Sequence, residues 1–177
     1  GSRRDMSVLT EISDIKAVIR FAQSLSNTDE SELLLVGCSQ GGLAAALTAA
    51  QMPETVNGLV LLYPALCIPD AARGGEMLWL KFDPSHIPEK MHAGPMPLGR
   101  RYAADVMNMD AFRQIAGYSG KVLLLHGDRD AIVDISYAEK AESVYRAAGA
   151  DVRFVVIPGG KHIFRKPSQI RQATQEI

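Results

Sequence analysis

A serine between glycines, in the stretch Gly37-Cys38-Ser39-Gln40-Gly41, is the part of this sequence best suited to chemistry. The apolar run 33–36 precedes it and an alanine-rich run follows, so Ser39 is predicted to lie on a sharp turn between a strand and a helix. Such a turn exposes a serine hydroxyl as a nucleophile, and the helix N-terminus favours a developing negative charge. The backbone N–H of Gln40 is the expected donor to that oxyanion. A serine that only caps the helix is the alternative.

A serine nucleophile needs a base, and the sequence has four histidines. His162 follows the predicted strand 152–157 on a glycine-rich loop, where its imidazole could reach Ser39. His126 ends an apolar run and is predicted to be buried with a structural role, whereas His86 and His92 lie in a proline-rich region. The alternative for His162 is an ordinary histidine on a surface loop.

The base in turn needs an acid, and three aspartates follow the predicted strand 121–126. Asp128 falls in a tight turn, where its carboxylate is expected to accept a backbone hydrogen bond. Asp134 precedes a helix and is expected to cap it. Asp130 is therefore the best candidate to orient the imidazole of His162. The resulting chain order of serine, aspartate and histidine, each after a different strand, favours catalysis over coincidence.

The elements that must position these residues alternate along the chain. Apolar runs predict strands at 33–36, 58–63, 121–126 and 152–157, and helical spacing or composition predicts helices at 10–25, 41–52, 135–148 and from about 168 onward. This alternation is typical of an α/β domain with a parallel sheet of about four strands covered on both faces, and we expect one domain over 1–177. The proline-rich segment 68–111, which carries Trp79 and Phe82, breaks the rhythm and predicts a small lid insertion.

Composition narrows the function classes. The formal net charge of −1 offers no basic surface for nucleic acid, and no apolar run is long enough to cross a membrane. Cys38 and Cys67 lie in apolar runs and are predicted to be buried free thiols, which fits a reducing, cytoplasmic compartment unless a targeting segment precedes this chain. The expected partner is a small-molecule substrate, with no metal or organic cofactor.

With these residues in view, the chain resembles the α/β-hydrolase fold superfamily and, within it, the bacterial cinnamoyl or feruloyl esterases. The resemblance covers nearly the whole chain, and the stretches that carry it are Asp5-Met6-Ser7-Val8-Leu9-Thr10-Glu11-Ile12, the serine turn at 37–42, Asp83-Pro84-Ser85-His86-Ile87-Pro88, Pro97-Leu98-Gly99-Arg100-Arg101-Tyr102, and the loops 126–133 and 159–164.

The resemblance implies roles for individual residues. It makes Asp130 the acid of a catalytic triad, and it makes the 68–111 segment a lid that grips the phenolic end of a hydroxycinnamate. Asp70 and Tyr102 fall where that family places polar groups for the ring hydroxyl. Ordinary lid packing is the alternative for Tyr102, and a turn after Pro69 is the alternative for Asp70.

The sequence ahead of Ser39 shows no sign of the leading strands or of a second oxyanion donor. Hydrolases of this kind take a second oxyanion donor from a loop after an earlier strand, near a His-Gly pair, and neither a strand-like run nor such a pair precedes Ser39. We therefore expect the natural protein to be longer, with the leading strands and a second donor outside this chain. Strand 33–36 would then be an exposed apolar edge that could pair with another chain or form a homodimer.

The sequence thus predicts a serine hydrolase that cleaves carboxylic esters, most specifically hydroxycinnamate esters, through Ser39, His162 and Asp130 and an acyl-enzyme. Three alternatives remain open at this point. They are a peptidase of the same fold, a lipase-like enzyme for longer acyl chains, and a scaffold that binds partners without catalysis.

Overall fold

The computed structural model describes residues 2–77, 80–93 and 96–177, so Trp79 and Pro95 of the predicted lid lie outside it. The helices and strands alternate in chain order, with two three-residue 3-10 helices at Arg3–Asp5 and Glu30–Glu32. The elements are α1 (Val8–Gln23), β1 (Leu34–Cys38), α2 (Ser39–Gln51), β2 (Gly58–Leu62), α3 (Ile68–Arg73), β3 (Glu76–Met77), β4 (Leu80–Lys81), β5 (Lys90–Ala93), β6 (Met96–Gly99), α4 (Arg101–Met107), α5 (Ala111–Ile115), β7 (Lys121–Gly127), α6 (Ser136–Ala147), β8 (Asp151–Ile157) and α7 (Pro167–Glu176).

The main sheet contains the four strands that the apolar runs predicted. Its order is β1-β2-β7-β8, and every neighbouring pair is parallel. The register places Cys38 beside Leu62 and Leu62 beside Leu125, so the carboxyl ends of the strands lie along one edge. Because Ser39, Asp130 and His162 all follow strand ends, this topology brings them to the same edge. The predicted parallel α/β fold is confirmed.

The sheet separates a large core from a small one. Alternate strand residues such as Leu59, Leu61 and Leu124 pack with α2 and α6 in the large core. The residues between them face the other way, where Val60, Leu125 and Ile157 pack beneath Phe164 and Ala173 in a smaller cluster. Strand β7 is apolar almost throughout because a core packs on each of its two faces.

Strand β1 departs from the prediction that both faces of the sheet are covered. It occupies the edge of the sheet, and the side chains of Leu34 and Val36 are 52% and 56% exposed. Leu35, which points to the opposite face, packs against the large core. The smaller core does not extend beneath β1, so the prediction of an exposed apolar edge at this strand is confirmed.

The 68–111 segment forms short elements rather than an irregular loop. Helices α3 and α4 flank two antiparallel hairpins, β3–β4 and β5–β6. Met77, Met91, Leu98 and Tyr102 from this segment are buried in the large core. The segment therefore packs on the domain, and this burial removes four large side chains from water.

Two local predictions need correction near the serine. Helix α2 begins at Ser39 rather than at residue 41, so the serine is the first helical residue. The thiol-bearing residue before it, Cys38, is exposed rather than buried, and Cys67 is only partly buried. Cys38 is exposed because it is the last residue of the edge strand β1, whereas Cys67 precedes α3 and lies outside the strands.

Candidate active site

The backbone at Ser39 adopts a conformation that non-glycine residues rarely occupy. Its φ angle is +52°, in the left-handed region, as the strand turns directly into α2. The turn is tight enough that a Cβ added to Gly37 would lie 2.4 Å from the carbonyl oxygen of Gly41. Gly41 itself has no atom within 4 Å of such a Cβ, so the steric need for glycine lies at 37 rather than at 41. This strained turn holds the Ser39 hydroxyl clear of the sheet.

The side chains of Ser39, His162 and Asp130 form a continuous hydrogen-bonded chain. His162 Nε2 lies 2.9 Å from Ser39 Oγ, and His162 Nδ1 lies 2.8 Å from Asp130 Oδ2. A carboxylate only accepts, so Nδ1 carries the proton and Nε2 is free to accept from the serine hydroxyl. The Asp130 side chain is fully buried and the His162 side chain is 13% exposed, which shields this pair from water.

Close contact between two loops brings the acid to the base. A Cβ added to Gly127, at the end of β7, would lie 2.2 Å from the carbonyl oxygen of Gly160, in the loop after β8. The carboxylate of Asp128 also accepts a hydrogen bond from the backbone N–H of Gly159, at 2.6 Å. The glycines therefore allow the loops that carry Asp130 and His162 to approach more closely than residues with side chains would permit.

The three aspartates after β7 have separate partners, although Asp134 is not the predicted helix cap, because the N-cap position of α6 is Ile135. Asp128 binds the backbone of Gly159, and Asp134 accepts from the N–H of Ser136 at the start of α6, at 2.9 Å. Asp130 Oδ1 accepts from the backbone N–H groups of Ile132 and Val133, at 2.9 and 3.0 Å. With Oδ1 occupied in this way, Oδ2 is left to face His162.

Tyr63 is a neighbour of the site that sequence reasoning missed. It follows β2 with a φ of +39°, and its ring centroid lies 4.9 Å from that of His162. Burial, together with nearby Cys38 and Asp130, raises the pKa of Tyr63 to about 12, so its hydroxyl stays protonated. The signal in the sequence was its place at the end of the predicted strand 58–63, at the same sheet edge as Ser39.

A cavity of about 570 Å³ opens beside the serine. Ser39, Gln40, Met77 and Tyr102 are among the residues that line it, with Val133 on the opposite loop. Its size suits a small organic ligand, and its walls are mostly apolar with a few polar groups. Cys67 also lines the cavity, but burial raises the pKa of its thiol to about 11, so this group is a poor nucleophile at neutral pH.

Gln40 is held by two side chains from other elements. The hydroxyl of Tyr102 donates a short hydrogen bond to the side-chain oxygen of Gln40. The side-chain Nε2 of Gln40 donates to Glu11 Oε1 at 2.7 Å. Its backbone N–H is among the first of α2, which have no acceptor within the helix. Burial raises the pKa of Tyr102 to about 12, with nearby Glu11 as a lesser cause. Glu11, from α1, is a second residue that sequence reasoning missed, because only tertiary packing brings it here.

The two residues that the resemblance assigned to a ring hydroxyl lie in different places. Tyr102 lines the cavity, whereas Asp70 is outside that lining, on α3. The carboxylate of Asp70 is paired with Arg73 and accepts from the hydroxyl of Tyr137 at 2.8 Å. Partial burial opposes ionisation, but these two hydrogen bonds prevail and lower the pKa of Asp70.

The sequence matches the model of one known protein family. The model of the prolyl oligopeptidase family matches residues 7–177. The chain belongs to this family. Its parallel sheet with helices is thus that of the α/β-hydrolase fold.

Among solved structures, this family member is similar to Est1E from Butyrivibrio proteoclasticus, with a TM-score of 0.87 and 29% identity over 97% of this chain and 69% of that chain. A structure titled as ferulic acid bound to Est1E gives the same TM-score and identity over 98% and 67%. A monoacylglycerol lipase from Paleococcus ferrophilus is 18% identical with a TM-score of 0.69 over 99% and 77%, and this likeness concerns the fold alone. No curated protein matches the chain.

Two further observations concern ligands and membranes. Within the described ranges, the structure contains no cluster of three or more His, Cys, Asp or Glu side chains arranged to hold a metal ion. The helices in the same ranges all lack the combination of length and apolarity needed to cross a bilayer.

Proposed function

We propose that this chain carries the active centre of a serine hydrolase that cleaves carboxylic esters, with hydroxycinnamate esters as its substrate class. The observation that supports catalysis most strongly is the hydrogen-bonded chain from Ser39 through His162 to Asp130. A chance cluster of side chains would not be expected to combine these hydrogen bonds with a strained backbone at Ser39 and a buried carboxylate at Asp130.

The first half of the reaction forms an acyl-enzyme. Ser39 Oγ attacks the ester carbonyl carbon while its proton passes to His162 Nε2. Asp130 holds the imidazole in the required tautomer and stabilises the imidazolium. The negative charge that develops on the carbonyl oxygen is stabilised by the backbone N–H of Gln40 at the N-terminus of α2. The carbon–oxygen bond to the alcohol then breaks, and His162 gives its proton to the leaving oxygen.

The second half releases the acid. Water attacks the acyl carbon and gives a proton to His162, and the bond to Ser39 Oγ breaks as that oxygen regains a proton. The products are a carboxylic acid and the regenerated hydroxyl of Ser39. The low exposure of Asp130 and His162 favours this step, since water does not compete for their mutual hydrogen bond.

The proposed substrate class rests on the cavity and on the likeness to Est1E, which has been determined with ferulic acid bound. The apolar walls of the cavity suit an aromatic acyl group, and the hydroxyl of Tyr102 offers a polar contact for a ring hydroxyl. In this proposal the 68–111 segment acts as the lid, because Met77 and Tyr102 come from it.

Hydrolysis of paired esters tests the substrate class. We expect a higher kcat/KM for methyl ferulate than for a methyl ester of an aliphatic acid. We also expect Tyr102→Phe to lower the preference for methyl ferulate over methyl cinnamate, which lacks the ring hydroxyls, by roughly tenfold. Faster hydrolysis of the aliphatic ester, or an unchanged preference in Tyr102→Phe, would contradict this assignment. Ser39→Ala is the control, with turnover expected to fall roughly 10⁴-fold or more.

A second candidate function is peptide hydrolysis, which the family description favours. The same three side chains can cleave an amide, because the leaving amine also receives its proton from His162. Comparison of a p-nitrophenyl ester with a p-nitroanilide of the same acyl group separates the two functions. We expect the ester to be the better substrate by more than its greater intrinsic reactivity toward hydroxide, and an anilide favoured by that measure would support the peptidase.

A further inference from the structure

His126 is a buried histidine that the reaction described above does not use. It lies near the end of β7, and its side chain is completely buried. Its Nε2 is 3.0 Å from the carbonyl oxygen of Val133 and 3.3 Å from Asp130 Oδ2. Its Nδ1 is buried and lacks a hydrogen-bond partner among the described residues. A fully buried polar ring this close to the triad acid calls for a physical explanation.

The contacts of His126 show which ring nitrogen carries the hydrogen. A carbonyl oxygen only accepts, so Nε2 must carry hydrogen and donate to Val133. A second proton, on Nδ1, would be buried without an acceptor. Burial lowers the pKa of His126, and electrostatic repulsion by His162 acts in the same direction, while the Val133 carbonyl, Asp130 and Asp134 partly oppose the shift. His126 is therefore a neutral imidazole with its hydrogen on Nε2.

Val133 connects His126 to the triad acid. Its carbonyl oxygen accepts from His126, and its own backbone N–H donates to Asp130 Oδ1 at 3.0 Å. Val133 is 1% exposed and lines the cavity beside Ser39, so it has little freedom to move independently. The hydrogen bond from His126 thus holds Val133 in place, and Val133 in turn holds Oδ1 of Asp130. The other carboxylate oxygen of Asp130 faces His162.

We propose that His126 is a positioning residue of the triad: by donating to the carbonyl of Val133, it holds the 130–133 turn in the shape that directs Asp130 toward His162. This inference rests on the proposed function, since the turn matters for turnover only if Asp130 and His162 act on Ser39. His126 is rigid enough for this role because it is part of the longest strand pairing, in which it lies beside Val156.

Two substitutions separate positioning from packing. His126→Phe keeps an aromatic ring but removes the donor, whereas His126→Gln keeps an N–H at a similar distance from the backbone. We expect His126→Phe to lower kcat for a p-nitrophenyl ester about tenfold with KM nearly unchanged, because a misplaced orienting group slows the step that it orients. His126→Gln should recover most of that loss. Thermal unfolding of both variants shows whether each is folded at the assay temperature.

Two readouts follow the triad rather than the fold. A looser Asp130 stabilises the imidazolium of His162 less well, so the acidic limb of the kcat/KM profile should move to lower pH in His126→Phe, by about half a unit. The proton NMR signal of the His162 Nδ1–H should also move upfield or broaden in His126→Phe and return in His126→Gln. An unchanged Nδ1–H signal and an acidic limb that stays in place or moves to higher pH would overturn the proposal.

The native protein provides a test that needs neither variant nor substrate. The ¹⁵N spectrum of the histidine rings should show His126 neutral and protonated on Nε2 at neutral pH. An Nδ1–H tautomer would overturn the positioning role. Because this spectrum and the His162 signal do not depend on turnover, they remain informative if Ser39 proves not to be a nucleophile, which is tested separately by covalent labelling.

Discussion

At the scale of single residues, the site depends on a backbone that only some side chains permit. Ser39 occupies a left-handed conformation that costs a non-glycine residue of order 1 kcal/mol or more. The neighbouring strand residue, Gly37, makes that turn sterically possible because its missing Cβ leaves room for the carbonyl of Gly41. Strain of this kind persists only where the surrounding structure enforces it, as a hydroxyl presented for nucleophilic attack requires.

Substitution of the two glycines measures this requirement. Gly37→Ala should lower the free energy of unfolding by about 1–3 kcal/mol, because the new Cβ would lie 2.4 Å from the Gly41 carbonyl oxygen, and backbone would have to move. Gly41→Ala is the matched control and should leave stability unchanged or slightly higher, since nothing lies within 4 Å. Urea denaturation of both variants measures the difference, and equal effects would contradict the steric account.

At the scale of elements, helices α1, α2 and α4 meet beside the serine through the side chains of Glu11, Gln40 and Tyr102. Burial raises the pKa of Glu11 from its ordinary value of 4.5, and the negative charge of Asp14 adds to this effect, while the hydrogen bond from Gln40 opposes it. Glu11 Oε2 is buried and has no hydrogen-bond partner among the described residues. Ionisation of the Glu11 carboxyl group at this buried position therefore lowers the free energy of unfolding.

The pH dependence of stability tests this cost. A raised carboxyl pKa means that the folded state binds the proton more tightly, so the contribution of Glu11 to stability is lost as pH rises through 4.5 and past the folded-state value. Glu11→Gln cannot ionise and retains an acceptor for Gln40. We expect the stability of Glu11→Gln relative to the native protein to increase between about pH 4 and 7. A difference that is independent of pH would contradict the assignment.

The sequence predicted those elements and residues whose signals are local. Apolar runs followed by Ser39, Asp130 and His162 placed each of the three at a strand end, and the parallel topology then brought them together. Tyr63 shares this position at a strand end but was not singled out, whereas Glu11 could not be assigned in this way, because its role comes from contacts between elements far apart in the chain. The exposure of Cys38 was also missed, since an apolar run does not reveal whether its strand lies at an edge.

At the scale of the whole molecule, the edge strand β1 is the feature that bears on assembly. Leu34 and Val36 present apolar side chains to solvent along an edge with unpaired backbone groups, and Phe21 on α1 is 65% exposed. Edges of this kind pair readily with other strands, and natural proteins often protect them with charge. We therefore propose that self-association of this chain proceeds through β1.

Charged substitution on this edge tests the proposal. Val36→Lys should reduce self-association because a lysine on the exposed face opposes edge-to-edge pairing. Ile170→Lys is a matched control, since Ile170 is similarly exposed, at 50%, but lies on α7, which contacts β8 at the other edge of the sheet. Sedimentation velocity over a concentration series measures the effect. Equal reduction by both variants would indicate nonspecific association, and no self-association of the native chain would contradict the proposal.

Covalent labelling of the serine tests the central claim most directly. A fluorophosphonate reacts with a serine hydroxyl that a neighbouring base activates, and it leaves a stable phosphonyl adduct on that oxygen. We predict a single adduct on the peptide that contains Ser39, no adduct at that peptide in Ser39→Ala, and much slower labelling in His162→Asn. A native, folded protein that stays unlabelled at Ser39, or that labels equally fast without His162, would contradict the proposed catalytic role.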